Sequence, residues 1–126
     1  MKSTRSMTKG MFTILLGLTV VVFASETFAQ GTWATKAPMP TERDYLAAGV
    51  VNGVLYAVGG QTNCCNVSTV EAYDPATDTW TTKASMPTPQ ATFAAGVVNG
   101  ILYCVGSEPY PHLNQAYDPI SDTWTV

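Results

Sequence analysis

Short apolar runs broken by Asn-Gly recur along this chain. Ala47-Ala48-Gly49-Val50-Val51 leads into Asn52-Gly53 and then Val54-Leu55-Tyr56-Ala57-Val58. Forty-seven positions later the block returns as Ala94 to Val98, Asn99-Gly100 and Ile101 to Val105; over its first ten residues it differs only by Val54 against Ile101. Asn-Gly suits a two-residue type I′ turn, because both central residues need φ > 0. Each block is therefore read as a β-hairpin, with strands of roughly 45–51 and 54–58 in the first copy. The small residues at the start of each block suit a crowded place where strands converge.

The polar positions repeat as well. A variable loop follows each hairpin, at 61–68 and at 108–114, and a third strand ends in Tyr73 or Tyr117. Asp74-Pro75-Ala76-Thr77-Asp78 and Asp118-Pro119-Ile120-Ser121-Asp122 read as tight turns, since Asp accepts local backbone hydrogen bonds and Pro presets φ. A fourth strand then carries Trp80 or Trp124, and Trp33 marks a leading copy of that strand. The link Lys36 to Pro40, repeated as Lys83 to Pro87, is rich in Pro and unsuited to a central strand. Trp33 to Trp80 spans 47 positions; Trp80 to Trp124 and Tyr73 to Tyr117 each span 44. Four short strands in each such period predict one propeller blade per repeat.

These features resemble the kelch motif: glycines after a strand (Gly59, Gly60 and Gly106), a Tyr-Asp-Pro turn after Tyr73 and Tyr117, and the following Trp80 and Trp124. The resemblance implies that these residues shape and pack blades. Ser107 departs from it at the second glycine, and Gln90 stands where Arg43 keeps the Arg that kelch repeats often carry. The fold class expected is all-β: two four-stranded antiparallel kelch-type blades, about 41–82 and 88–126, plus one leading strand, together an incomplete ring. Closed propellers have roughly 4 to 8 blades. A part of a longer propeller is the favoured reading, and assembly of several copies the alternative. Completion by blades in cis or by self-association is therefore expected.

Residues 1–29 are read as a cleaved signal peptide. Lys2, Arg5 and Lys9 precede an apolar run from Met11 to Ala24, and Thr27-Phe28-Ala29 offers small residues at the positions a signal peptidase reads. The run falls short of the ~20 residues that cross a bilayer as a helix. The expected location is secreted or periplasmic, with an uncleaved anchor as the alternative. From Gln30 onward three cations face eight anions, a net charge of −5. Without a basic patch, nucleic acid is not an expected partner. Cys64 and Cys65 are adjacent in a loop and could bridge after export, whereas Cys104 reads as a small buried hydrophobe. No metal or cofactor is expected.

Chain direction places the variable loops, the Pro-rich links and the starts of the first strands on one rim, opposite the Asn-Gly and Asp-Pro turns. Candidate ligand-binding residues there are Arg43, Asp44, Gln61, Asn63, Gln90, Glu108, Tyr110 and His112, together with the cysteine pair. No catalytic residue is assigned. His112, the single histidine, has Glu108 and Tyr110 nearby, but Pro109 and Pro111 before it indicate a rigid exposed loop, and it is read as a loop histidine. The function expected is an exported binding or interaction module for a protein or carbohydrate. The kelch resemblance supplies the alternative, part of a carbohydrate-active propeller enzyme of epimerase-like or oxidase-like type with its site incomplete here. One histidine cannot provide the paired histidines of a copper oxidase of that kind.

Overall fold

The computed structural model describes residues 31–107 and 109–126. The signal-peptide reading and Glu108 fall outside the described residues. Ala34–Val126 form one compact unit. It contains two four-stranded antiparallel sheets. β1 (Ala47–Val51), β2 (Val54–Val58), β3 (Val70–Asp74) and β4 (Thr79–Lys83) lie in the order β1-β2-β3-β4. β5 (Ala94–Val98), β6 (Ile101–Val105), β7 (Asn114–Asp118) and β8 (Thr123–Thr125) repeat that order.

The expected hairpins form in the expected register, with Val51 paired to Val54 and Val98 to Ile101. Asn52 and Asn99 each take φ 50°, and Gly53 and Gly100 each take 81°, as a type I′ turn requires. No strand forms around Trp33, where the spacing had placed a leading fourth strand. Strand hydrogen bonds need a partner edge. In a ring that strand would close a different blade from the two present here.

The period-2 alternation of each strand gives every sheet two faces. One face of the first blade carries Gly49, Val51, Tyr56, Val58, Val70 and Ala72. The opposite face of the second blade carries Ala95, Leu102, Cys104, Tyr117 and Trp124. These two faces meet and form the core, joined by Met86 from the link between the blades. Tyr56 and Tyr117 pack across the contact in a tilted arrangement, with ring centroids 5.7 Å apart and planes 59° from parallel. Cys104 is fully buried here, as expected, and burial pushes its thiol up to about 12.

The Asp-Pro turns do more than reverse the chain. Asp74 and Asp118 accept the amides of Ala76 and Ile120, which closes each turn. Asp78 accepts the Tyr73 hydroxyl at 2.6 Å and the Ala37 amide at 3.0 Å, while Trp80 Nε1 donates to the Ala37 carbonyl at 2.9 Å. The second blade repeats this with Asp122, Tyr117, Ala84 and Trp124. Each incoming link is thereby clamped to the outer strand of the blade it enters.

Candidate functional site

Arg43 and Gln90, expected on the binding rim, lie inside. Arg43 donates to Glu71, to the Thr41 carbonyl and to the Ala57 carbonyl, and its side chain is fully enclosed. Glu71 also accepts the Thr41 hydroxyl at 2.8 Å. A charge removed from water needs a partner and further hydrogen bonds, and this arrangement provides both. The second blade answers with amides: Gln115 Nε2 donates to Gln90 Oε1 at 2.6 Å and to the Thr88 carbonyl at 3.1 Å, and Gln115 Oε1 accepts the Thr88 amide. Gln90 and Gln115 are both fully buried. Glu71 and Gln115 therefore change together with Arg43 and Gln90 between the copies. That coupled change is visible in the sequence once the repeats are aligned, although Glu71 and Gln115 drew no notice there.

The backbone around these residues joins the blades. Gly60 donates its amide to the Gln90 carbonyl at 2.8 Å, and the Thr92 amide donates to the Tyr45 carbonyl at 3.0 Å. Gly59, at φ 58°, sits so close that a Cβ there would meet the Gln90 carbonyl oxygen at 2.5 Å. The Gly-Gly pair thus acts as the seat of the next blade's entry strand. In the second blade Ser107 replaces that second glycine, outside the positive-φ region that Gly60 occupies, and its hydroxyl donates to the Ala91 carbonyl.

What remains on the rim is polar and exposed. Asp44 and Gln61 exchange a pair of backbone hydrogen bonds at 2.8 and 3.0 Å, which extends the first blade beyond β1 and β2. Thr62 to Cys65 then turns the chain back to pair Gln61 with Asn66. Around this extension lies an opening of about 220 Å³ lined by Glu42, Arg43, Asp44, Gln61, Thr62 and Asn63. Asp44, Gln61 and Asn63 are brought together as expected; Glu42 and Thr62 join them as near neighbours in sequence. Tyr110 and His112 are exposed on the loop of the second blade and do not line this opening.

Cys64 and Cys65 are exposed free thiols with their sulfurs 2.7 Å apart. Adjacent Cα atoms lie about 3.8 Å apart, closer than the usual span of a disulfide. Hydrogen bonding from Cys65 and then Thr62 holds the Cys64 thiol below its ordinary value, and the same contact raises that of Cys65. Among the described residues no helix is long and apolar enough to cross a membrane.

The Kelch motif family model matches residues 42–87, a stretch covering the first blade and the link after it. No curated protein sequence matches the chain. Among solved structures, that of YjhT, a kelch-type propeller, aligns with a TM-score of 0.67 at 20% identity, over 75% of this chain and 40% of its own. The chain therefore spans well under half of that propeller, and at this identity the likeness concerns the fold. With a Kelch motif over residues 42–87, and the same strand order and clamps in the second repeat, Ala34–Val126 has the fold of two blades of a kelch-type β-propeller.

Proposed function

We propose that the chain is an exported interaction module that holds a protein or carbohydrate ligand at the rim of its first blade. The opening beside the Asp44–Gln61 extension carries this reading. It combines the carboxylates of Glu42 and Asp44 with the amides of Gln61 and Asn63 and the Thr62 hydroxyl. Such a mixture suits sugar hydroxyls or a basic side chain. Enclosed small-molecule sites run to roughly 300–1,000 Å³; at about 220 Å³ this opening fits a protruding group on a larger partner better than an engulfed substrate. Kelch repeats serve widely as binding scaffolds, and the loop-bearing rim is where propellers vary. Export rests on the residue pattern of positions 1–29.

The binding reading is tested by screening the chain against glycan and peptide arrays, then measuring the best ligand against Asp44→Ala combined with Asn63→Ala. A loss of at least about tenfold, or 1.4 kcal/mol, is expected. Unchanged affinity in a variant with a native unfolding curve would overturn the rim assignment. Export is tested separately by N-terminal sequencing of the protein recovered outside the cytoplasm: a start at Gln30 supports cleavage, and retention of residues 1–29 opposes it.

A further inference from the structure

The turn from Thr62 to Cys65 holds two thiols that the fold does not need. Its backbone closes without them: the Thr62 amide donates to the Cys65 carbonyl at 3.0 Å, and Gln61 pairs with Asn66 just outside. Neither cysteine joins the core, since both are exposed. The corresponding loop of the second blade, between Ser107 and Asn114, carries no cysteine, so the pair is not part of the repeated framework. The turn instead brings the two sulfurs to 2.7 Å from each other. It also sets the Thr62 hydroxyl 3.5 Å from the Cys64 sulfur and 4.0 Å from that of Cys65.

The third cysteine is set apart. Cys104 is fully buried in the core, and buried structural thiols of this kind are inert. The exposed pair has each other as partner. Neighbouring Cα atoms lie about 3.8 Å apart, below the roughly 4.4–6.8 Å of ordinary disulfides, so a bond between them is strained and easily reduced again. Strained, exposed disulfides are the labile ones, which exchange rather than staple.

We propose that Cys64 and Cys65 form a thiol–disulfide exchange site that takes small, accessible disulfides as substrate, with Cys64 attacking and Cys65 resolving. Cys64 attacks because the Cys65 thiol and then the Thr62 hydroxyl bond to its sulfur and favour the thiolate, which holds it below its ordinary value while Cys65 is raised. Cys64 gives its proton to water, and its sulfur attacks one sulfur of a disulfide RS–SR. A Cys64–SR bond forms, and the other RS⁻ leaves and takes up a proton. Cys65 then loses its own proton, attacks the Cys64 sulfur and expels the second RS⁻, which is protonated in turn. The two protein thiols are oxidised to one disulfide, and RS–SR is reduced to two RSH. An excess of RSH runs the same steps backwards. Neither step depends on what the rim binds or on export.

The test is mass spectrometry of the chain after reduction, removal of the reductant and incubation with glutathione disulfide. The wild type is expected to lose about 2 Da, the two thiol hydrogens, and to retain no glutathione. Trypsin cuts after Arg43 and Lys83, so the fragment 44–83 carries Cys64 and Cys65 without Cys104 and should show the whole loss. Excess reduced glutathione should restore both hydrogens. Cys65→Ser, at an exposed position, should stop at the mixed disulfide and keep one glutathione. Cys104→Ala, which gives β6 the residue that β2 carries at Ala57, should behave as the wild type. An unchanged mass would overturn the proposal. So would a wild type that keeps glutathione, links to a second chain, or loses hydrogens from the fragment holding Cys104.

Discussion

At the level of single residues, the difference between Arg43 and Gln90 separates framework from rim. Arg43 faces Glu71, and Gln90 faces Gln115, so each blade fills the same interior position with a matched pair. Breaking a buried ion pair from one side strands a charge and costs roughly 3–5 kcal/mol, whereas exchanging both partners is often close to neutral. Arg43→Gln alone is therefore expected to destabilise the chain by about 3–5 kcal/mol, and Arg43→Gln with Glu71→Gln to restore most of that loss. Urea unfolding of the two single variants and the double variant measures the coupling. Additive losses would show that the amide pair of the second blade cannot be transplanted. Arg43 had seemed a rim candidate because its position starts a strand beside variable loops. Burial of its side chain depends on Glu71, which is distant in sequence, and on the strand packing that brings the two together.

At the level of elements, the Tyr-Asp-Trp clamp makes each blade sensitive to both ends of the pH scale. Asp78 lies below the ordinary carboxylate value because the Tyr73 hydroxyl, and then the Ala37 amide, donate to it; Asp122 is lowered by Tyr117 and then Ala84. A carboxyl lowered in the fold contributes stability that is fully present above its ordinary value of 3.8 and is lost as pH falls through its lowered one. The same hydrogen bond pushes Tyr73 up to about 12 from 10.0. That contribution is fully present below pH 10.0 and is lost as pH rises through about 12. Burial, followed by the bond to Asp122, raises Tyr117 as well. Melting curves across pH should thus fall at both extremes, and Tyr73→Phe with Tyr117→Phe should flatten the alkaline limb. An alkaline limb unchanged in that double variant would place the loss elsewhere. The sequence already marked these aspartates as turn residues. The link residues Ala37 and Ala84, which they hold, could not be inferred from turn chemistry.

At the level of the whole molecule, the two described blades share one contact, built from one face of each. Leu102 lies in that contact and Leu55 at the equivalent place of the first blade, outside it, so only Leu102 is fully buried. Leu102→Ala is expected to cost about 2–5 kcal/mol, the range for a buried leucine whose site cannot collapse. In the single chain Leu55→Ala should cost clearly less, because water already reaches that side chain. Urea unfolding of the two variants makes the comparison, and equal costs would show that the difference in exposure does not set the loss.

Strand order, hairpin register and the two-blade architecture could be read directly, because they depend on local chemistry repeated in step: Asn-Gly where φ must be positive, alternation along each strand, and Tyr-Asp-Pro before each Trp. Asp44, Gln61 and Asn63 were legible as rim residues for the same reason, since antiparallel strands place alternate loops at one end. Packing decided the rest. It drew Arg43 and Gln90 inward against Glu71 and Gln115, and it left the segment around Trp33 without a strand partner. It also placed Leu102 over Gly49 in one of two near-identical hairpins, while nothing lies over Gly96 in the other. Two copies of one local sequence acquire different environments only when a neighbour covers one of them, and the neighbour is a property of the assembled fold.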